Sequence, residues 1–159
     1  MASTSNPRDP AFDVRVRRSF ERQGLMATIG ARLIRVSPGE VEIEAPFGEG
    51  LTQQHGYVHA GIVTALVDSA CGYSALSLTP PGSEILTVEY KVNFLAPAQG
   101  ERLVARGRVV RAGRTITVCS GEVVAITRTQ EKQVAVMLAT MIAVPAAGRA
   151  TADAAQTEL

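Results

Sequence analysis

Residues 51–78 read LTQQHGYVHAGIVTALVDSACGYSALSL, and the rest of the chain is organised around this stretch. Between Gly50 and Ser83 there is a single formally charged residue, Asp68, within an apolar and small-residue run. An unpaired buried carboxylate is unfavourable by several kcal/mol unless it takes up a proton. Asp68 therefore either has a partner that the local sequence does not show or is retained for chemistry.

The stretch predicts one long helix from His59 to about Leu78, roughly 30 Å in length at 1.5 Å per residue. Its apolar side chains cover more than half of its circumference, which is typical of a buried helix. A desolvated carboxylate on such a helix is a candidate general base or nucleophile, and the alternative is a contact with the backbone of another subunit. Small residues share its side of the helix and would let a ligand approach: Gly61, Thr64, Ala65, Cys71, Gly72 and Ala75.

A glycine-containing turn, residues 55–61, precedes the helix. The first helical amides, at Ala60, Gly61 and Ile62, have no acceptor inside the helix, and such a helix start stabilises negative charge on a carbonyl under attack. Ala60 and Asp68 are eight residues apart, about 12 Å along the helix, so one acyl carbon cannot touch both. If they cooperate, they must come from two chains of a symmetric dimer with two composite sites.

Two histidines, His55 and His59, are separated by four residues in this region. His55 precedes the glycine of the turn and is predicted to lie outside the helix, and no third ligand is near in sequence, so no metal site is expected. His59 is predicted to cap the helix and to fix the turn, and a proton shuttle is the alternative.

Composition is that of an ordinary globular domain with an aliphatic core. The 159 residues are 46% hydrophobic, 19% charged and 4% aromatic, which suits one domain. A net charge of +1 argues against nucleic-acid binding. There is no membrane-span or signal pattern, and Cys71 and Cys119 are expected to be reduced core thiols. The prediction is a cytoplasmic protein with no membrane or nucleic-acid partner.

The flanking segments predict an α+β fold, because short connections join successive antiparallel strands and one helix covers a face. Residues 1–10 are expected to form a flexible arm, 11–144 a single domain and 145–159 a flexible tail. The last strand is apolar on both faces, so another subunit or the N-terminal helix should cover one of them. The predicted order is an amphipathic helix with a solvated basic face (12–23), a hairpin (26–36 and 41–45), the long helix, and four strands (85–95, 102–111, 115–127 and 134–144).

The motif G-x-x-H-A-G-x-x-x-x-L-x-D-x-A, from Gly56 to Ala70, resembles the G-x-x-H-G-G-x-x-x-x-L-x-D/E signature of hotdog-fold acyl-CoA thioesterases, in particular the PaaI-like, phenylacetate-degradation type. A second block, LTVEYKVNFLAPAQGERLVARGRVVRAGRT from Leu86 to Thr115, is similar to a later segment of that family. The resemblance implies a hotdog fold, in which a six-stranded antiparallel sheet wraps around one long central helix and a short N-terminal helix is added. It also implies hydrolysis of an acyl- or aryl-CoA thioester without metal or cofactor, coenzyme A being part of the substrate.

The resemblance implies catalytic roles for individual residues. Asp68 matches the acid that acts as general base for water or as nucleophile, and Gln53 matches an amide that positions the water or the thioester. The amide of Ala60 or Gly61 would polarise the carbonyl. Ala60 replaces the usual first glycine, which keeps the amide but adds a methyl group that could narrow the acyl pocket or restrict φ.

Thr87 matches a Ser or Thr that lies near the acid in relatives. Plain strand alternation, however, places Thr87 on the face of Glu89, Lys91 and Asn93 rather than on the apolar face.

The predicted hairpin over 102–114 carries five arginines. Arginine suits the phosphate-rich end of coenzyme A, and backbone amides of a turn can also meet a phosphate. A solvated strand face is the alternative for the arginines within the strand. The candidate coenzyme A contacts are Arg108, Arg111, Gly113 and Arg114.

The expected assembly is a homodimer with composite active sites, extended to a tetramer as a dimer of dimers. Two other functions stay open at this point. One is a non-catalytic acyl-CoA-binding or sensing protein, and the other is a hotdog dehydratase or hydratase.

Overall fold

A six-stranded antiparallel sheet wraps around one long helix in residues 6–146, the part of the chain that the computed structural model describes. The sheet order is β1-β2-β4-β5-β6-β3, so β1 and β3 are its edges. This arrangement confirms the predicted hotdog fold. The elements are α1 (Phe12–Glu21), α2 (Gly24–Thr28), β1 (Arg32–Ser37), β2 (Glu40–Pro46), a short 3-10 helix (Glu49–Leu51), α3 (Ala60–Leu76), β3 (Ser83–Phe94), β4 (Arg102–Ala112), β5 (Ile116–Ile126) and β6 (Glu131–Pro145).

Helix α3 lies directly against the sheet, because two glycines leave room for it. Gly107 on β4 pairs in register with Gly121 on β5. A Cβ at Gly107 would lie 2.3 Å from the backbone of Ala70, and one at Gly121 would lie 2.5 Å from a methyl carbon of Val67. Only residues without a side chain fit here, so this pair fixes the height of α3 above the sheet.

The N-terminal helix α1 is held against the end of α3 by Arg15. The guanidinium donates to the carbonyl oxygens of Leu76, Thr79 and Pro80 at 2.6–2.9 Å, and it pairs with buried Asp9 at 3.3 Å. A cation at a helix C-terminus is favourable because the last carbonyls there have no intrahelical donors. The prediction that the basic face of this helix is solvated is therefore wrong for Arg15.

The segment before β1 differs from the predicted strand over 26–36. Helix α2 occupies Gly24–Thr28, and β1 begins only at Arg32. Met26 and Ile29, three residues apart, are both buried, which is a helical rather than an extended spacing. Gly30, with φ of +68°, then ends the helical turn.

The start of β6 departs from plain strand alternation. A register shift against β5 at Val123/Val124 places an extra residue in β6, so that Val134 and Ala135 are both buried. Further along, Leu138 is 56% exposed on the outer face. Both cysteines are free and buried, and burial raises their pKa values, that of Cys119 to about 12.

Parts of the predicted N-terminal arm (1–10) and most of the predicted tail (145–159) lie outside residues 6–146. No helix within those described residues is long and apolar enough to cross a membrane.

Candidate active site

Two cavities beside α3 are each lined by two of the predicted catalytic residues. The first, of about 320 Å³, lies between the middle of α3, the start of β3 and the end of α1, and Asp68 and Thr87 line it. The second, of about 440 Å³, lies at the start of α3, and Gln53 and Ala60 line it. We name these the Asp68 cavity and the Ala60 cavity. One chain thus brings Asp68 and Thr87 together and keeps Gln53 and Ala60 apart from them.

The carboxylate of Asp68 has a hydrogen-bond donor in Thr87, whose Oγ1 donates to Oδ1 at 2.9 Å. Burial raises the pKa of Asp68, and the bond from Thr87 lowers it by less, so the pKa lies above its ordinary value. No Lys, Arg or His within residues 6–146 forms a salt bridge with Asp68. A partly buried carboxylate without a cation suits proton abstraction from water.

Thr87 reaches Asp68 because β3 contains a bulge. The register with β6 shifts between Thr87 and Glu89, so Val88 interrupts the alternation and side chains on its two sides change faces. Thr87 pairs with buried Met141, and Val92, beyond the bulge, pairs with buried Met137 and packs against the core, so both lie on the face that α3 covers. The face deduced from plain alternation is therefore wrong. A bulge has no clear sequence signal in this strand.

The C-terminal end of α1 contributes residues to the Asp68 cavity that the sequence did not indicate. Ser19, Arg22 and Gln23 line it. The hydroxyl of Ser69 on α3 donates to Oε1 of Gln23 at 3.3 Å, and Arg22 lies 3.9 Å from Glu84 on β3. Helical periodicity shows which side of α1 is apolar, but it does not show which cavity the end of the helix adjoins.

At the start of α3, His59 uses both its side chain and its backbone as acceptors. Its Nδ1 accepts from the Gly61 amide at 2.9 Å, and its carbonyl oxygen accepts from the Ile62 amide at 2.9 Å. Of the two amides proposed from the sequence to polarise the carbonyl, the Gly61 amide is therefore already hydrogen-bonded within the chain. The Ala60 amide donates to no acceptor in the described chain, so it is the one available to a ligand.

Gln53 is oriented by the turn that precedes α3. Its backbone amide donates to the Tyr57 carbonyl at 2.8 Å, and its side-chain oxygen accepts from the His55 amide. Gly56, with φ of +81°, makes this turn possible. Ala60 adopts helical backbone geometry, and no non-glycine residue in the described chain has positive φ. The expected restriction of φ at Ala60 therefore does not occur, and its methyl group only takes up space in the Ala60 cavity.

The strand arginines on the outer face of β4 are largely paired with glutamates. Arg106 lies 3.2 Å from Glu122 and 2.7 Å from Glu131, and these hydrogen bonds raise the pKa of Arg106 and lower that of Glu131. Arg108 faces Glu40 in the β2–β4 register. The structure places these side chains in a ladder of opposite charges, which favours the solvated-face interpretation for this part of β4.

The β4–β5 turn lies beyond the C-terminal end of α3. Gly113 and Arg114 line a small cleft there with Ala75 and Thr79. The Gly113 amide donates to the Ile116 carbonyl at 2.8 Å, so the expectation that this amide meets a phosphate is wrong, because the turn itself uses it. Arg111 and Arg114 are exposed and are free to reach a ligand. Within residues 6–146 there is also no group of three or more His, Cys, Asp or Glu side chains that could hold a metal ion.

Comparison with known proteins identifies the family of this chain. The model of the thioesterase superfamily matches residues 55–132, which include the start of α3, Asp68 and Thr87. Human acyl-coenzyme A thioesterase 13 is 31% identical over 104 residues, which cover 65% of this chain and 71% of the human protein. The chain belongs to the thioesterase superfamily.

Solved structures of thioesterases extend the similarity over almost the whole domain. A thioesterase family protein from Silicibacter pomeroyi shares 49% identity, with a TM-score of 0.83 over 84% of this chain and 98% of that one. The PaaI protein of the E. coli phenylacetic acid degradation operon has a TM-score of 0.77 over 85% of this chain and 94% of its own, at 20% identity. The latter similarity supports the fold alone, whereas family membership supports thioester hydrolysis as the class of reaction.

Proposed function

We propose that this protein hydrolyses an acyl- or aryl-CoA thioester at a site formed by two chains, with Asp68 of one chain and the start of α3 of the other. The observation that carries the proposal is the Asp68–Thr87 pair, which opens onto a cavity and has no cationic partner in residues 6–146. A binding protein would have no need of a partly buried carboxylate with a raised pKa at this position.

The need for two chains rests on distance. Asp68 and Ala60 line different cavities, and the two residues are about 12 Å apart along the helix axis. Edge strand β3 leaves apolar side chains uncovered, with Leu86, Tyr90 and Phe94 each 45–57% exposed. Such an edge favours pairing with a second copy. Two-fold pairing along β3 would bring the Asp68 cavity of one chain towards the Ala60 cavity of its partner.

In the proposed mechanism, Asp68 removes a proton from a water molecule while Thr87 holds the carboxylate in place. The resulting hydroxide adds to the thioester carbonyl, and the partner's Ala60 amide stabilises the oxyanion. Collapse of the tetrahedral intermediate breaks the carbon–sulfur bond, and the proton on Asp68 passes to the leaving thiolate. Direct attack by Asp68, through an anhydride that water then cleaves, is the alternative route.

Gln53 lines the same cavity as Ala60, so we assign it to orienting the thioester from the partner's side. Arg111 and Arg114 are the exposed cations left for the phosphates of coenzyme A. Arg108, which faces Glu40 on the outer face, and the Gly113 amide are not included.

Asp68→Asn tests the proposal in a thiol-release assay with a panel of acyl-CoA thioesters. Removal of the base should lower kcat by orders of magnitude with a comparable KM. Asp13→Asn on exposed α1 is the matched control and should retain wild-type kinetics. Near-wild-type turnover by Asp68→Asn would overturn the assignment, and tight acyl-CoA binding by the wild-type protein with no thiol released would favour a non-catalytic binding role. Label in Asp68 after a single turnover in ¹⁸O-labelled water would show an anhydride that water cleaves at the Asp68 carbonyl, because general-base catalysis puts the label only in the free acid.

A further inference from the structure

Gly72 lines the Asp68 cavity one helical turn after the carboxylate. A Cβ at this position would meet no heavy atom within 4 Å, and its φ is not in the left-handed region. Neither packing nor backbone geometry in the described chain therefore requires glycine. Because glycine is one of the least favourable residues inside a helix, its presence here needs another explanation.

The contrast with Gly107 and Gly121 shows what a packing glycine looks like in this fold. At those positions a Cβ would lie 2.3–2.5 Å from atoms of α3, so a side chain would force the helix away from the sheet. At Gly72 a side chain would instead project into the open space that adjoins Asp68. Gly72 thus keeps part of the Asp68 cavity open, whereas Gly107 and Gly121 allow α3 to contact the sheet.

We propose that Gly72 is the specificity-determining residue of the Asp68 cavity. The acyl group lies over Gly72, so that its ring or branch is about 6 Å further along the helix axis than Asp68. This inference rests on the thioesterase activity proposed above. The substrate class is a compact acyl group that carries its bulk close to the carbonyl.

The walls of the cavity support a compact acyl group. Leu76 and Ile85 supply apolar surface to the lining that Gly72 shares, whereas Arg22 and Glu84, 3.9 Å apart, add charged groups to it. A long unbranched chain would leave the space over Gly72 unfilled and would run into these charged groups, whose desolvation is unfavourable. A ring of the same carbon number is shorter than the straight chain and fills the space over Gly72.

The test compares cyclohexylacetyl-CoA with octanoyl-CoA, which have acyl groups of equal carbon number and similar thioester chemistry. The wild-type protein should have the higher kcat/KM with the cyclic substrate. Gly72→Ala should lower the cyclic-to-straight ratio of kcat/KM about tenfold, since filling a pocket by one methyl group changes selectivity by roughly this factor, and Gly72→Leu should lower it further. Gly24→Ala is the control, because Gly24 is also helical, has open space around it and does not line the cavity.

Thermal melting and sedimentation accompany the kinetics. Gly72→Ala should melt at or above the wild-type temperature, because alanine is the better helix former, so a changed ratio cannot be ascribed to unfolding. An unchanged ratio in an active Gly72→Ala protein would overturn this inference and leave the proposed function intact. Dissociation of the assembly by Gly72→Ala would also overturn it, since the space would then belong to a partner chain. A wild-type protein that hydrolyses neither these two substrates nor any other thioester would overturn both proposals.

Discussion

The two ends of α3 differ in how their free backbone groups are satisfied. At the C-terminal end, Arg15 donates to three carbonyl oxygens and is itself neutralised by Asp9. At the N-terminal end, His59 satisfies the Gly61 and Ile62 amides, but the Ala60 amide has no acceptor in the described chain. One end is completed by the protein's own side chains, while the other keeps one donor available. Of the two ends of α3, only the end beside the proposed site keeps a free backbone donor in the described chain. The free donor is therefore a feature of the site and not of the fold in general.

The largest effect on this comparison is expected from Ala60→Pro, which removes the available N–H and little else. Proline is well tolerated at the first position of a helix, and His59 already has the extended geometry, with ψ of 137°, that a following proline requires. We expect kcat to fall by about 10²–10³-fold, the usual effect of losing one oxyanion donor, with little change in melting temperature. Ala60→Gly keeps the amide and should lose far less. A fully active proline variant would exclude this amide from the oxyanion site.

Arg15→Met tests the other end and should act on stability rather than on chemistry. It removes the donors to the carbonyls at and just after the end of α3 and leaves Asp9 buried without its cation, so we expect a loss of about 3 kcal/mol in the free energy of unfolding. Urea denaturation measures it. Arg17→Met, which breaks only the exposed pair with Asp13, is the control and should change stability by less than about 0.5 kcal/mol. Equal losses in the two variants would contradict the role assigned to Arg15.

Thr87→Val tests the hydrogen bond to Asp68, the carboxylate that lies on α3 between its two ends. Without the hydrogen bond that lowers the pKa of Asp68, that pKa should rise further above its ordinary value. Because the base acts only when ionised, the acid limb of the pH–kcat profile should move to higher pH, and kcat should fall roughly tenfold. Thr87→Ser keeps the hydroxyl and should restore the profile. An unshifted acid limb would show that the contact does not tune the carboxylate.

Much of the fold and part of the site could be predicted from the sequence, since both depend on local patterns. The apolar surface of α3 and its single carboxylate identified the central helix and Asp68. Thr87 shows the limit of such reasoning, because the bulge at Val88 is fixed by pairing with β6 and not by the residues of β3 alone. Arg15 shows another, since its acceptors are more than 60 residues away in the sequence. Long-range contacts decided both positions.

The glycine pair that packs against α3 also determines the position of Asp68. Cβ atoms in proteins stay at least 3.0 Å from backbone atoms, and the position at Gly107 is 2.3 Å from Ala70, so even a methyl group there would displace α3 by about 0.7 Å. Asp68 is two residues from Ala70 and would move with it. The distance between the carboxylate and the reacting carbon therefore depends on β4 and β5, the two strands whose glycines contact α3. Substitutions at Gly107 or Gly121 would lower activity although both residues lie on the opposite side of α3 from the site.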